Sequence, residues 1–114
     1  MTTKNAISRA DKLRPNAIEE EVKAAWLYEL DGKLAETLGV DVTENVWPKD
    51  AELLMPSPCD NIYELYLCAM IDLENQETEL YANGMAVFNA AFAEARAWWR
   101  RHHCPADSGN WKVM

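Results

Sequence analysis

Residues 102–104 bring together side chains that could support nucleophilic or metal chemistry. His102, His103 and Cys104 are consecutive, and the chain has no other histidine. A thiol paired with an imidazole also needs a third group that orients the imidazole and a glycine-rich oxyanion loop, and the sequence offers neither. Adjacent helix residues point about 100° apart, so we do not expect the two imidazoles to bind one metal ion. We interpret them as a solvated helix end, where histidine interacts favourably with the helix dipole.

No other motif predicts catalysis. Ser8, Ser57 and Ser108 lack the Gly-x-Ser-x-Gly context of a hydrolase nucleophile, and four glycines are too few for a phosphate loop or a dinucleotide fingerprint. Glu77 and Glu79 lie in a run of charged residues, for which solvation is the simpler explanation. We therefore expect no enzymatic activity, no cofactor and no metal.

Tryptophan is unusually frequent, with five in 114 residues. Trp98 and Trp99 are neighbours on a predicted helix, so both cannot face one core, and arginines surround them. Tryptophan and arginine are enriched among the residues that dominate binding at protein interfaces. The alternative is that both indoles are half-buried and Arg100 stacks on one of them. The predicted partner interface comprises Trp47, Leu53, Leu54, Arg96, Trp98, Trp99, Arg100, Arg101, Trp111, Val113 and Met114.

The segment from Cys59 to His103 determines the fold class, because it contains no proline and a single glycine, Gly84. Apolar residues recur in it at steps of three and four, the spacing of one buried stripe on an α-helix. A polar patch begins at Glu74, so we predict a helical hairpin with one break or kink between Glu74 and Gly84; one continuous helix is the alternative. The stripe comprises Tyr81, Met85, Phe88, Phe92, Ala95 and Trp99.

Two further helices are predicted before residue 40. The first spans residues 3–13. Asn16, followed three residues later by Glu19, predicts the N-cap and capping box of the second, and Gly39 predicts its C-cap. Gly32 inside this helix weakens it by about 1 kcal/mol relative to alanine. Its predicted apolar stripe is Ile18, Val22, Ala25 and Trp26, continued by Leu27, Leu30, Leu34 and Leu38.

Residues 40–57 form a predicted irregular loop. The Val40-Asp41-Val42 alternation would allow a short β-ribbon, but this chain offers no strong candidate for the second strand; in an oligomer a neighbouring copy could supply it. The apolar residues 53–55 lie beside prolines and are expected to anchor the loop against the helices. Ser57-Pro58 predicts the start of the third helix, with serine as the cap and proline in the first turn.

The fold class is therefore all-α: a small helical bundle in one domain, residues 1–103, followed by an extended C-terminal tail, residues 104–114. At this size, leftover apolar surface is expected to be covered by partners. The predicted core is Trp26, Leu30, Leu34, Ile62, Tyr66, Ala69, Leu73, Met85, Phe88 and Phe92.

The formal net charge of -8 is unevenly distributed. Residues 1–14 and 96–114 each carry an excess of cationic side chains, whereas residues 29–79 contain thirteen acidic side chains and two lysines. Nucleic-acid binding needs a contiguous basic surface, so this layout argues against it. It suits copies that pack head to flank in a ring, although solvated helix faces also explain many of the acidic residues.

Cysteine usage and the N-terminus bear on location. Three cysteines without a Cys-x-x-Cys pair predict neither a disulfide framework nor a zinc site, and they suit a reducing compartment. The N-terminal residues have no apolar signal core, and no stretch is long enough to span a bilayer. We expect a soluble protein that is made in the cytoplasm and does not bind membranes.

Several stretches together resemble a group of small prophage proteins encoded beside the major capsid genes of tailed bacteriophages. The resemblance implies an all-helical head-tail connector or adaptor, a neck protein of the virion that forms a homo-oligomeric ring under the portal, of twelve copies in this family. It also implies that portal and tail proteins are its partners and that DNA passes through the channel without specific binding. No catalytic residues come with the family. The stretches are residues 26–32 (WLYELDG), 53–58 (LLMPSP), 60–67 (DNIYELYL), 70–72 (MID) and 83–92 (NGMAVFNAAF).

The sequence therefore predicts a structural virion protein that joins the capsid portal to the tail. A different class remains open, a small acidic phage inhibitor that mimics DNA charge and blocks a host protein. The basic ends and the excess of tryptophan count against this second class. An enzyme or metal protein is a distant third.

Overall fold

The computed structural model describes residues 1–41 and 47–103. Over these residues the chain is all-α, as predicted, with helices α1 (Thr3–Leu13), α2 (Glu20–Leu38), α3 (Asn61–Glu74) and α4 (Thr78–His102). The tail at 104–114 and part of the loop, residues 42–46, lie outside the described residues, as does Cys104. Helix α3 is central, because it packs most extensively against α4 and α1 and also contacts α2.

The predicted helical hairpin is confirmed, and its break lies at residues 75–77 between α3 and α4. Gln76 adopts a left-handed backbone conformation, with φ of 60°, and the Glu77 amide donates to the Asp72 carbonyl over 2.8 Å. The other candidate break point, Gly84, lies inside α4. A Cβ atom on Gly84 would lie 3.3 Å from the Ala69 Cβ, so this glycine lets α4 approach α3 closely.

The predicted capping of α2 by Asn16 is wrong. The helix begins at Glu20, and Glu19 holds the N-cap position without a side-chain hydrogen bond. The side-chain oxygen of Asn16 instead accepts from the Ile18 amide over 3.0 Å and from the Lys23 ammonium over 3.1 Å. Its side-chain nitrogen donates to the Asp11 carboxylate over 2.9 Å. Asn16 therefore organises the turn between α1 and α2.

The buried face of α2 differs from the prediction in its first two turns. Val22 and Ala25 are exposed, whereas Lys23 and Ala24 are buried. The Lys23 ammonium lies 2.7 Å from the Asp11 carboxylate, and this ion pair allows a lysine to occupy an inward position. Farther along, the predicted stripe is confirmed by buried residues at positions 27, 30 and 34. The C-cap is also confirmed, since Gly39 has φ of 71°.

The loop before α3 is anchored as predicted. Leu53 and Met55 are buried, and the amide of Leu53 donates to the Met1 carbonyl over 3.0 Å. The strand pairing that the structure shows is one isolated antiparallel bridge between Thr2 and Glu52. Helix α3 begins at Asn61, so the predicted start at Ser57-Pro58 is wrong by about one turn.

Half of the predicted core is buried and nearly all the rest is half-buried. Leu73 is the error, since its side chain is 42% exposed in the last turn of α3. Its neighbour Asp72 is buried instead, where it accepts from the Arg14 guanidinium over 3.1 Å and 3.2 Å. The buried members are Leu30, Leu34, Ile62, Ala69 and Phe88, and the half-buried ones are Trp26, Tyr66, Met85 and Phe92.

Candidate partner-binding surfaces

The end of α4 carries two stacked pairs, each one helical turn long. His102 stacks on Trp98 with ring centroids 4.3 Å apart, and His103 stacks on Trp99 at 3.8 Å. Each imidazole Nδ1 lies within hydrogen-bond distance of the carbonyl of its tryptophan, at 2.8 Å and 3.0 Å. A carbonyl can only accept, so each Nδ1 carries the proton and donates. The histidines are exposed and cap the last carbonyls of the helix, as the helix-end interpretation predicts.

The three arginines near this end differ in their exposure and in their contacts within the chain. The Arg96 guanidinium lies over the Phe92 ring, 5.0 Å from its centroid, and Arg96 is half-buried. Arg100 is exposed, and one guanidinium nitrogen reaches the Thr37 carbonyl only at 3.5 Å. Arg101 is exposed at the rim of a small recess that Cys59 and Glu94 also line. Arg100 and Arg101 are therefore the two that a partner could engage.

The remaining predicted interface residues differ in how far they are buried. Leu53 is 4% exposed and belongs to the chain's own core, whereas Trp47 and Leu54 are half-buried and pack against that core. Trp98 and Trp99 are half-buried too, the state that the alternative interpretation requires, but histidines rather than Arg100 stack on them. Trp111, Val113 and Met114 lie outside the described residues.

An open groove of about 740 Å³ runs between α2 and α4, with α3 as its floor. Its aromatic residues form a ladder in which the Tyr66 and Phe88 centroids lie 5.1 Å apart and those of Phe88 and Phe92 lie 5.3 Å apart. Burial raises the pKa of the Tyr66 hydroxyl, and the Glu29 carboxylate adds to this effect. Sequence reasoning missed the groove, because the spacing of a stripe does not reveal which two helices stand apart.

A buried polar network fastens the loop to the bundle. The Tyr63 hydroxyl donates to one Asp31 carboxylate oxygen over 2.6 Å and accepts from the Met55 amide over 2.7 Å. The Leu54 amide donates to the other Asp31 oxygen over 3.0 Å. Burial is the main cause that raises the pKa of Asp31, and burial beside that carboxylate also raises the pKa of Tyr63. Since every polar side-chain group here is paired inside the protein, the network is structural.

The two described thiols are free and poorly suited to act as nucleophiles. Burial raises the pKa of Cys68 to about 11. The pKa of Cys59 is raised as well, by burial and by the Glu94 carboxylate. The reactive form of cysteine is the thiolate, so both thiols are largely protonated at neutral pH.

Helix α4 exposes an uncharged face along most of its length. Of its 25 residues only Phe88 and Ala95 are buried, and no charged side chain occurs from Leu80 to Ala93. Leu80 and Val87 are 45% and 55% exposed. The face that points away from α3 is made of small residues, all exposed: Ala82, Ala86, Ala90, Ala93 and Ala97. Sequence reasoning missed this face, although the run of alanines between aromatic positions was a signal.

Other kinds of site find no support in the described part of the chain. Within residues 1–41 and 47–103, no three histidine, cysteine or carboxylate side chains converge as metal ligands. Over the same residues, no helix is long and apolar enough to cross a membrane.

Comparison with protein-family models, with curated proteins and with solved structures found no match. The resemblance to phage connector proteins therefore rests on the sequence stretches alone.

Proposed function

We propose that this protein is a structural assembly subunit of a tailed bacteriophage, a head-tail adaptor that forms a ring between portal and tail. Virion location, the portal and tail partners and passage of DNA through the ring belong to this proposal. It is supported by the surfaces that the fold leaves uncovered and by the resemblance of residues 26–32, 53–58, 60–67, 70–72 and 83–92.

The exposed face of α4 is the observation that carries the proposal. A helix of 25 residues would normally bury a continuous stripe and cover the remainder with charges. Here residues 80–93 carry no charge, and two large apolar side chains, Leu80 and Val87, stay exposed on the flank of α4 beside α1 and α3. Exposed apolar surface of this kind is typical of a protein that is completed by partners.

The charge distribution fits the same role. Exposed carboxylates around the turn between α3 and α4, Glu74, Glu77 and Glu79, would give the ring an acidic surface. Acidic walls repel the phosphate backbone, so DNA would slide past without sticking. An adaptor needs no catalytic group, and the buried polar residues Thr3, Lys23, Asp31 and Asp72 each have a hydrogen-bond partner within the chain.

Electron microscopy of the purified chain, alone and mixed with the portal protein of the same phage, tests the proposal. We expect rings or caps on the portal, and we expect Val87→Glu to abolish them because it places a charge on the exposed apolar flank of α4. Ser8→Glu, an exposed change of equal charge on α1, is the matched control and should assemble normally.

A chain that stays monomeric at every concentration and leaves the portal bare would refute the adaptor role. If the chain instead formed a stoichiometric complex with a host DNA-binding enzyme, the acidic inhibitor would be the better assignment.

A further inference from the structure

No contact within the chain explains why position 32 is a glycine. It lies in the middle of α2, it is exposed, and no atom lies within 4 Å of the position that a Cβ would occupy. Glycine is the least favourable helix residue after proline, so α2 is weakened there without a gain in packing. Gly84, by contrast, contacts Ala69 closely. A helical glycine without an internal contact is explained when another backbone approaches it from outside.

Gly32 belongs to a straight outward face of α2. Val22, Ala25, Glu29, Gly32 and Glu36 follow at steps of three and four residues, and all are exposed, Val22 by 40%. This spacing places them on one side of the helix, opposite the buried side at positions 27, 30 and 34. The face is thus small at two positions, apolar at one and acidic elsewhere.

We propose that this face of α2 binds the outward face of α4 of a second copy of the chain. The inference rests on the proposed ring and names the two surfaces that would join neighbouring subunits. Both faces carry small side chains, Ala25 and Gly32 on α2 and the alanines on α4, so the two helices can approach closely there. Their charges are complementary, since α2 presents carboxylates and the end of α4 presents Arg100 and Arg101. Neither arginine forms an ion pair within the described residues of its own chain.

An antiparallel arrangement brings the small positions of the two faces together and places one arginine against a carboxylate. If Ala90 of one copy lies against Gly32 of the next, then Ala97 lies against Ala25 and Arg101 lies against Glu21. Small residues then meet small residues where the helices are closest, and the arginine meets a carboxylate at the end.

A parallel arrangement that pairs Ala97 with Gly32 would instead place Glu94 against Glu29. Like charges placed opposite each other oppose association, so the antiparallel register is favoured.

The proposed contact is head to tail, because one copy contributes its α2 face and the other copy contributes its α4 face. Such a heterologous interface leaves one face of α2 and one of α4 free at the ends of any open chain, and it is satisfied everywhere only when a ring closes. The single glycine of α2 would thus mark the position on α2 against which α4 of the neighbouring subunit packs.

Sedimentation velocity of the full chain over a wide concentration range tests the contact. We expect self-association of the natural sequence, and we expect Gly32→Leu to weaken it about tenfold or more, because the side chain holds the two backbones apart. Gly32→Ala should weaken it less. The melting temperature of both variants should equal or exceed that of the natural sequence, because each removes an unfavourable helical glycine. Lys12→Leu, an exposed change on α1 outside both faces, should leave association unchanged.

Charge reversal tests the register. Arg101→Glu should weaken association, and the double variant Glu21→Arg, Arg101→Glu should restore it. The inference would be overturned if neither Gly32 variant changed self-association. It would also be overturned if Arg101→Glu weakened self-association and the added Glu21→Arg did not restore it. A natural chain that never associates with itself would overturn it too. Rings on the portal in any of these cases would leave the adaptor role standing with a different subunit contact.

Discussion

At the residue scale, the buried polar side chains show what periodicity misses. Lys23, Asp31 and Asp72 are each 2–3% exposed, although a hydrophobic pattern assigns such residues to the surface. Each is buried because a partner from another element neutralises or hydrogen-bonds it: Asp11 for Lys23, Tyr63 for Asp31 and Arg14 for Asp72. The partner is distant in sequence in two of the three cases, so local spacing carries no sign of it.

Tyr63→Phe tests the network that fastens the loop. The change removes the donor to Asp31 and leaves the buried Met55 amide without an acceptor, so the free energy of unfolding should fall by about 1–3 kcal/mol. Urea denaturation measures it. Tyr81→Phe is the matched control, since the half-buried Tyr81 hydroxyl forms no hydrogen bond among the described residues, and it should change stability by less than about 0.5 kcal/mol. Equal effects of the two changes would contradict the role assigned to the network.

Asp31 should also make stability depend on pH. Its pKa in the folded protein is raised above the ordinary value of 3.8, so between the two values the folded state binds more protons than the unfolded state. The stabilisation is complete below the ordinary value and is lost as pH rises through the folded pKa. Urea denaturation at several pH values should show the stability of the natural chain relative to Asp31→Asn falling as pH rises from about 4. Parallel pH curves for the two proteins would contradict this expectation.

At the element scale, the helices themselves follow from local sequence, but their starts do not. The stripe in α4 and the glycine C-cap of α2 are local signals. The C-cap is confirmed, and of the stripe Phe88 and Ala95 are buried while its other four residues are half-buried. The predicted starts of α2 and α3 were wrong because Asn16 and Pro58 serve turns instead. Asn16 bonds to Lys23 and Asp11, and the Cys59 amide closes a turn onto the Pro56 carbonyl over 3.1 Å.

The close approach of α3 and α4 predicts a contrast between two glycines. Gly84→Leu should lower the free energy of unfolding by roughly 1–3 kcal/mol, because the new side chain would overlap Ala69 on α3. Gly32→Leu is the matched control, since open space surrounds that position and stability should not fall. Thermal or urea denaturation of both variants measures the contrast. A Gly84→Leu protein as stable as its control would show that the helices can move apart at little cost.

At the scale of the whole molecule, the four helices and the loop before α3 contribute to one core of the described residues. All of the buried apolar residues of the described chain belong to α1, α2, α3, α4 or the loop before α3. A chain ending at His103 should therefore keep the helical circular dichroism spectrum and the melting temperature of the full chain. Truncation after Trp98 is the contrasting variant, since it removes Trp99 and the capped end of α4, and it should melt at a lower temperature. A large loss of stability in the first variant would show that the tail belongs to the domain.

The sequence by itself determined the all-α class, the hairpin between α3 and α4 and the anchoring of residues 53–55. These features depend on local spacing, turn residues and apolar content. Tertiary structure alone decided that Lys23 and Asp31 turn inward, that α2 and α4 stand apart to leave a groove, and which faces of α2 and α4 remain uncovered. The physical reason is that burial depends on which elements meet, and partners such as Asp31 and Tyr63, 32 residues apart, meet only when the chain is folded.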